Sequence, residues 1–578
     1  MYWGVRNFKA IDSAEINVGP GKISVLTGVN SSGKSSINQS LLLLAQSLHS
    51  SGSTVLNGPL VRLGDADDLA RASAPEGVPT FALDISVGGD DKESSQSATA
   101  VYNLVASRDS KTLVPGDLSI RYDDSSDTIE SQLRLSHTNA RREDVERAAE
   151  LSENSEANVL HVKSLLGTQK RPLRTYVVTE GVRPIAVFQS KPKGDVKKSY
   201  KNLMKSVLKS LGRRRNTRLP VGEGRLNIQA ALREFGRLLG VLDKAPATET
   251  AIALKPALGR IHVNIFRFFQ IWEDLPEDDR NELIEFAAEE RSKDPNIFVP
   301  VTPRRSGGDG LLESDLTDRI AESYESLRGL HEGLTKLAGR VQYLGPLRDE
   351  PRVVWNLWNQ VAPGLPVGTR GEYSAAVLSQ ARGKQVEYIG TDQEQRESPL
   401  IEAVNDWAKY IQIGSNFDAQ SHGKLGVGLK LEISGGVRDL TSVGVGVSQA
   451  LPLLVGLLAA PRGCIFIIEQ PELHLHPDVQ ARLADFVISA RPDICAIVET
   501  HSEAFVTRLR RRVAEGSVAP NKIDILFVEP GPDGSQSRKL EVSRYGDLSD
   551  WPEGFISSSK EDAIAIMRAN VEKVGSNG

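Results

Sequence analysis

Cysteine is nearly missing from this chain: 578 residues contain only Cys464 and Cys495. That count argues against a disulfide framework, and both thiols fall in apolar runs that read as buried strands, as expected of a protein folding in a reducing cytosol. Long hydrophobic runs are missing too. No stretch reaches the roughly 18–20 apolar residues that a membrane helix requires, and the opening Met1-Tyr-Trp-Gly-Val-Arg6 lacks the apolar core of a secretory signal. The expectation is a cytoplasmic protein with no membrane partner. Net charge is also scarce: −5 at pH 7 over so long a chain gives no global attraction for nucleic acid or anionic lipid, so any such binding needs a local patch. Aromatic residues make up only 6%, whereas 39% hydrophobic and 25% charged residues are a soluble globular composition. The chain is long enough for a large core and for two or three structural units.

Hydrophobic patterning divides the chain into three parts. In residues 1–190, Tyr2 to Phe8 and Lys22 to Leu26 read as strands, followed by a glycine-rich loop and an apolar helix from Ile37 to Leu48. Short alternating or β-branched runs then begin at Phe81, Ala100, Leu118, Gln132 and Tyr176, broken by Gly and Asp clusters, and predict an antiparallel sheet. Residues 191–339 switch to helical spacing, as in Ile228 to Leu242, Ile261 to Trp272 and Leu316 to Leu337, and read as a helical insertion. Residues 340–578 return to strand and turn chemistry, with another alternating run from Leu425 to Ile433. The fold class is α/β, and no repeat of fixed period is present.

Gly28-Val-Asn30-Ser31-Ser32-Gly33-Lys34-Ser35 meets every requirement of the phosphate-binding loop, between an apolar strand and an apolar helix. Its glycines let backbone N–H groups turn inward around phosphates, and the helix N-terminus adds positive dipole. Lys34 is placed to reach the β- and γ-phosphates and Ser35 to ligate magnesium, with Asn30, Ser31, Ser32, Gly33 and Ser36 completing the cradle. ATP and Mg²⁺ are the cofactors this predicts. Such a loop needs a second strand that delivers a carboxylate to the metal. Cys464-Ile-Phe-Ile-Ile-Glu469 ends in an acid and assigns Glu469 to that role, ahead of the turn Gln470-Pro-Glu472-Leu-His474-Leu-His476-Pro477. The next strand, Ile494 to Glu499, runs into Thr500-His501-Ser502, and His501 is a candidate for the γ-phosphate or the attacking water. His474 and His476 more simply shape the turn than bind a metal, because no cysteine or acid cluster completes a ligand set.

Taken in order, Arg6-Asn-Phe-Lys9, the Gly28 loop, Ser442-Val-Gly444-Val-Gly446-Val-Ser448-Gln449, the Glu469 to Pro477 segment and Thr500-His501-Ser502 resemble the RecF, SMC and OLD branch of ABC-type ATPases. Tyr343-Leu-Gly-Pro-Leu-Arg348 and Trp551-Pro-Glu-Gly-Phe555 make the chain most similar to stand-alone prokaryotic AAA-type ATPases of that branch, of the kind found in anti-phage defence. The matching motifs span residues 1–64 and 340–556.

The resemblance implies an ABC/SMC-like ATPase head with an antiparallel β subdomain, split by the helical insertion so that Lys34 and Glu469 meet at one magnesium. It implies that Ser442, Gly444, Gly446 and Ser448 form a signature-like segment reading the γ-phosphate held by an opposite subunit, in a homodimer or higher even oligomer. It implies an ATP hydrolase, with one departure: Gln470 stands where such ATPases place the general base. An amide cannot accept the proton in the usual way, so either Glu472 or Gln470 activates the water, or hydrolysis is slow and ATP mainly holds a dimer closed. After a Gly-Pro turn, Arg348 faces the nucleotide, the partner or solvent. The stretch after Ser502 is too short for a full nuclease domain, so an effector nuclease is expected on a separate chain. DNA recombination or repair, an ATP-gated scaffold and a transporter ATPase subunit are the alternatives.

The strongest charge signal is the segment Lys191 to Arg218, in which Lys197, Lys198, Lys201, Lys205, Lys209, Arg213, Arg214 and Arg215 face almost no acids. Apolar residues at helical spacing make it an amphipathic helix with a basic face. Phosphate-backbone contact with DNA, an acidic protein partner and a merely solvated face all remain open.

Overall fold

The computed structural model describes residues 2–48, 54–69, 79–87, 96–106, 112–122, 132–136, 158–164, 175–180, 182–190, 272, 274–292, 298–300, 314–355, 367–433, 435–552 and 566–568. The chain forms two compact units. One comprises Met1–Gln46, Leu56–Phe81 and Leu337–Gly578; the other comprises Ser47–Val55 and Ala82–Lys336.

The first unit is built on a sheet whose order is Tyr2–Phe8, Ile11–Asn17, Gly534–Leu540, Ile523–Gly531, Ile23–Gly28, Cys495–Glu499, Ile465–Glu469 and Val341–Leu344. From Ile523–Gly531 to Val341–Leu344 every neighbouring pair is parallel. Parallel strands are covered on both faces, and the sequence answers with continuous apolar runs: every residue of Ile23–Gly28, Ile465–Glu469 and Cys495–Glu499 is buried. The crossovers are helical. Lys34–Leu48 follows the first of these strands, and Pro477–Ser489 carries the chain from Ile465–Glu469 to Cys495–Glu499. Both cysteines are buried in or beside these strands, which pushes the Cys464 thiol up to about 12 and the Cys495 thiol up to about 11.

The helix Val445–Ala459 buries every residue from Val447 to Leu458 except half-buried Gln449, Pro452 included, which accounts for its lack of charge. On the same core, Trp407 stands edge-on to Phe486 with ring centroids 5.2 Å apart, and its Nε1 donates to the Ile389 carbonyl at 3.0 Å. A smaller antiparallel sheet, Ser415–Ser421, Val427–Ile433 and Gly436–Asp439, realises the alternating run near Leu425.

In the second unit the strands Gln96–Ala106, Leu113–Tyr122, Gln132–Ser136, Asn158–Ser164, Thr175–Glu180 and Arg183–Ser190 pair antiparallel in chain order, as the alternating runs predict. The hydroxyl of buried Tyr102 donates to the Val182 carbonyl at 2.8 Å. Between residues 191 and 339, helices Glu277–Ser292 and Ser314–Ala338 are present.

Several strands escape the sequence reading, among them Ile523–Gly531 beside the P-loop strand and its hairpin partner Gly534–Leu540. Ile11–Asn17 is a strand, hidden in the sequence because its apolar positions are few and lie in a short, polar stretch. Phe298–Pro300, inside the expected helical insertion, is a strand paired with Arg183–Ser190. The basic residues Lys197 to Arg215 and most of the Trp551 to Phe555 motif lie outside the described residues. Among the described residues no helix is long and apolar enough to cross a membrane.

Candidate nucleotide and cation site

Strand order builds the site. Cys495–Glu499 lies between the P-loop strand Ile23–Gly28 and the acid-bearing strand Ile465–Glu469, and because all three are parallel their C-terminal ends share one edge. Leu26, Glu499 and Glu469 fall in one row across them, each step roughly 4.8 Å. Glu499 is therefore one strand from the P-loop and Glu469 two.

The loop needs its glycines. Gly28 has φ 141°, and a Cβ there would sit 2.2 Å from the Val528 carbonyl oxygen; Gly33, with φ 93°, would place a Cβ 2.8 Å from Ile11 Cδ1. Ser31 adopts φ 61° and is exposed with Asn30, while Ser32 is buried with its Oγ unpartnered. Ser36 donates its N–H to the Gly33 carbonyl at 2.9 Å. Lys34 opens the helix and is 4% exposed. Its Nζ donates to the carbonyls of Gly28 at 3.2 Å and Val29 at 2.7 Å, so the ammonium folds over its own loop. Burial lowers its pKa, opposed by the charge of Glu499.

Ser35 Oγ donates to Glu499 Oε1 at 2.9 Å, so the hydroxyl expected beside Glu469 meets the acid of the intervening strand. Asn38, one turn along the helix, bridges the two acids: its Nδ2 lies 3.2 Å from Glu469 Oε1 and 3.2 Å from Glu499 Oε2. Asn38 Oδ1 is buried without a partner. Tyr343 OH donates to Glu469 Oε2 at 3.1 Å. Burial raises the pKa of Glu469, against the hydrogen bonds from Asn38 and Tyr343. Burial, with the Glu469 charge beside it, pushes Glu499 up to about 7. Two adjacent buried carboxylates cannot both ionise freely unless a cation joins them.

Glu472 serves the neighbouring turn. Its Oε2 accepts from Thr500 Oγ1 at 2.8 Å and its Oε1 from the His501 backbone N–H at 2.7 Å, which fixes where His501 emerges. Burial raises the Glu472 pKa. His501 is exposed at the surface, yet partial desolvation of its ring, followed by the Lys34 charge, lowers its pKa and favours neutral imidazole. Ser502 caps the next helix, Glu503–Ala514, accepting from Phe505 N–H at 3.0 Å while its hydroxyl donates to Gln480 Oε1 at 2.5 Å. Ser502→Ala should lower stability by about 1 kcal/mol in urea unfolding, a value that a merely exposed serine would not approach. Gln470 takes φ 45°, a left-handed conformation that ends the strand, and its backbone N–H donates to the Glu499 carbonyl at 2.8 Å. His474 is also left-handed, at φ 61°, and His476 caps the helix Pro477–Ser489 through Nδ1.

Arg348 is buried rather than solvent-facing. Its Nη2 donates to the Glu469 carbonyl at 3.2 Å, while Nε and Nη1 have no partner. Burial lowers its pKa to about 10, against the charges of Tyr343, Glu469 and Glu472. In the signature-like segment Ser442 and Gly444 are exposed, whereas Gly446 is half-buried against Leu475 and the His474 carbonyl. Ser448 is turned inward, donating its Oγ to the Val445 carbonyl at 2.7 Å. What this helix entry offers outward is backbone: Gly444 is its N-cap, with no side-chain cap, and no atom lies within 4 Å of where a Cβ would sit.

The structure thus gathers the P-loop residues, Glu469, Gln470, Glu472 and His501 in the first unit and adds Asn38, Tyr343 and Glu499. Sequence reasoning passes over Glu499 because it reads only as the lead-in to His501; its position as the last residue of a buried apolar strand is the available signal. The residues fit a magnesium nucleotide. They present hard oxygen donors and a glycine cradle in which Cβ atoms would clash, with Asn38 Oδ1 and Ser32 Oγ buried and unpartnered. Among the described residues no group of three or more His, Cys, Asp or Glu side chains could hold a metal by itself, so phosphate oxygens would have to complete the coordination.

Residues 313–507 match the family model described as "AAA domain, putative AbiEii toxin, Type IV TA system". Over this stretch the chain is similar to AAA-type ATPase domains. The match takes in Tyr343, Arg348, Glu469, Glu499 and His501, while the P-loop precedes it. A search of curated proteins gave no match. Among solved structures, the chain is similar to the Smc head domain of Pyrococcus furiosus with an extended coiled coil, bound to the C-terminal domain of ScpA. Identity is 11%, coverage 93% of this chain and 96% of that one, and the TM-score 0.30. The Smc head of Pyrococcus yayanosii with a coiled coil and joint gives 12% identity, 94% and 97% coverage, and a TM-score of 0.29.

Proposed function

We propose that this protein is an ATP-hydrolysing, ABC/SMC-like ATPase that dimerises around ATP and controls a separate effector in genome or anti-phage defence. The observation that carries the reading is the convergence of Ser35 with Glu499, 464 positions away, and of Asn38 with both Glu469 and Glu499, beside a P-loop whose lysine is held on its own carbonyls. Lys34 would exchange those carbonyls for the β- and γ-phosphates, and Ser35 with Glu469 would hold the cation. Magnesium supplies charge neutralisation across those phosphates. Glu472 positions His501 at the γ-phosphate end, and Gln470 orients water without accepting its proton. That amide supports slow turnover, in which ATP keeps a dimer closed for long periods. The matched family's description names a putative toxin of a toxin–antitoxin system, which favours a defence setting over recombination or repair. The effector is expected to be a nuclease, and the basic segment from Lys197 to Arg215 a contact for DNA or for that partner.

Dimer closure has a direct test at Gly444. The position has φ −61°, and no atom lies within 4 Å of where a Cβ would be, so Gly444→Asp should fold and even cap its helix. It also puts a carboxylate where the opposite subunit's γ-phosphate would dock. Sedimentation with magnesium and a non-hydrolysable ATP analogue should show a wild-type dimer. In the variant, dimerisation should be at least about tenfold weaker through like-charge repulsion, with nucleotide affinity of the monomer unchanged. A variant that dimerises like wild type would remove this helix entry from the interface.

A further inference from the structure

We infer that Glu499 is a cation ligand, so that the divalent ion of this site is held by two side-by-side carboxylates from adjacent strands, Glu469 and Glu499, together with the Ser35 hydroxyl. The inference rests on the nucleotide-binding reading above and deepens it by assigning a ligand outside the usual P-loop and distal-strand pair.

Three observations support it. First, position: Glu499 ends the strand that lies directly beside the P-loop strand, in register with Glu469, and its Oε1 is 2.9 Å from Ser35 Oγ, the P-loop hydroxyl that ligates magnesium. Glu469, one strand farther out, reaches neither Ser35 nor Lys34 through a hydrogen bond and is held instead by Asn38 and Tyr343. Second, the acids are kept together. Asn38, 1% exposed, donates from a single Nδ2 to both carboxylates, while its Oδ1 is buried without a partner. A buried amide that spans two carboxylates holds them side by side and keeps a free acceptor beside them, an arrangement that suits a cation and its water shell. Third, charge: Glu469, Glu499 and Glu472 all lie near this edge, and among the described residues the cations facing them are Lys34, which nucleotide phosphates would claim, and Arg348, which donates only to the Glu469 backbone carbonyl. Once Lys34 turns to phosphate, no cation among the described residues is left to Glu499, and a divalent ion would supply the positive charge.

A structural role for Glu499 would be to hold Ser35 in place. Glu499→Gln separates the two roles, because the amide oxygen still accepts from Ser35 while the ligand charge is gone. The experiment uses the full chain and Mn²⁺ as the probe, read by electron paramagnetic resonance, with a fluorescent ATP analogue to follow nucleotide binding. Wild type should bind the analogue in EDTA and then take up Mn²⁺. Glu499→Gln should bind the analogue in EDTA at least as tightly as wild type, because a negative charge near Lys34 is gone, yet bind Mn²⁺ in the nucleotide complex at least about tenfold more weakly, a difference of about 1.4 kcal/mol. Glu499→Asp, which keeps the charge on a shorter arm, should recover part of that loss. Wild-type Mn²⁺ affinity in Glu499→Gln would overturn the inference and leave the nucleotide reading standing. Failure of wild type to bind the analogue under either condition, in EDTA and with Mn²⁺ alike, would overturn both.

Discussion

Replacing Lys34 with alanine is expected to lower ATP turnover by about 10²–10³-fold, the usual effect of deleting one preorganised electrostatic donor from a transition-state site. The side chain is 4% exposed and its ammonium is spent on the carbonyls of Gly28 and Val29, at 3.2 and 2.7 Å. Those carbonyls belong to the same loop, so truncation breaks no long-range contact and the fold should survive. What is lost is a charge that phosphate can claim, in a pocket where burial already disfavours the free ammonium. Phosphate release measured at saturating magnesium and ATP gives the rate, and circular dichroism confirms the fold. A correctly folded Lys34→Ala protein with wild-type turnover would show that hydrolysis occurs elsewhere and would sink the proposed function.

The second large effect is on stability. In magnesium-free, nucleotide-free protein, Glu499 is raised from its ordinary 4.5 to about 7 by burial and by Glu469. Between those values the folded state holds a proton that the unfolded state has released, so folding stability is full below about 4.5 and falls as pH rises through 7. The shift corresponds to about 3 kcal/mol. Glu469 and Glu472 are raised in the same direction, also by burial, whereas the lowered pKa of His501 works against the trend. Urea unfolding in EDTA should therefore show lower stability at pH 8 than at pH 5.5. Glu499→Gln should be more stable than wild type at pH 8 and show a flatter profile, and magnesium with nucleotide should flatten the wild-type profile because a bound cation favours the ionised acids. A wild-type profile that rises from pH 5.5 to 8 would mean that these carboxylates are not held side by side.

Much of this site can be read without coordinates because its signals are local. The spacing of Gly28, Gly33, Lys34 and Ser35 requires a loop whose backbone turns onto phosphate, and the observed φ angles of 141° and 93° at the two glycines meet that requirement. Glu469 and His501 are legible because each follows an unbroken apolar run, the mark of a buried parallel strand. Three residues are passed over, Glu499 among them although it ends an apolar run just as Glu469 does. Asn38 looks like a polar position on a helix, Tyr343 like one residue of a short strand, and Glu499 like the lead-in to His501. Their roles are set by partners far away along the chain.

The sequence by itself determined the P-loop, the strand before it and the helix after it, and the amide at Gln470, because φ/ψ preference and hydrophobic period act over a few residues. Only the tertiary structure decided that Cys495–Glu499 lies between the P-loop strand and Ile465–Glu469. Strand order follows from which buried faces pack best over the whole unit, and no local pattern encodes it. That order places Ser35 on Glu499 at 2.9 Å, lets Asn38 bridge both acids, and turns one expected metal carboxylate into a neighbouring pair.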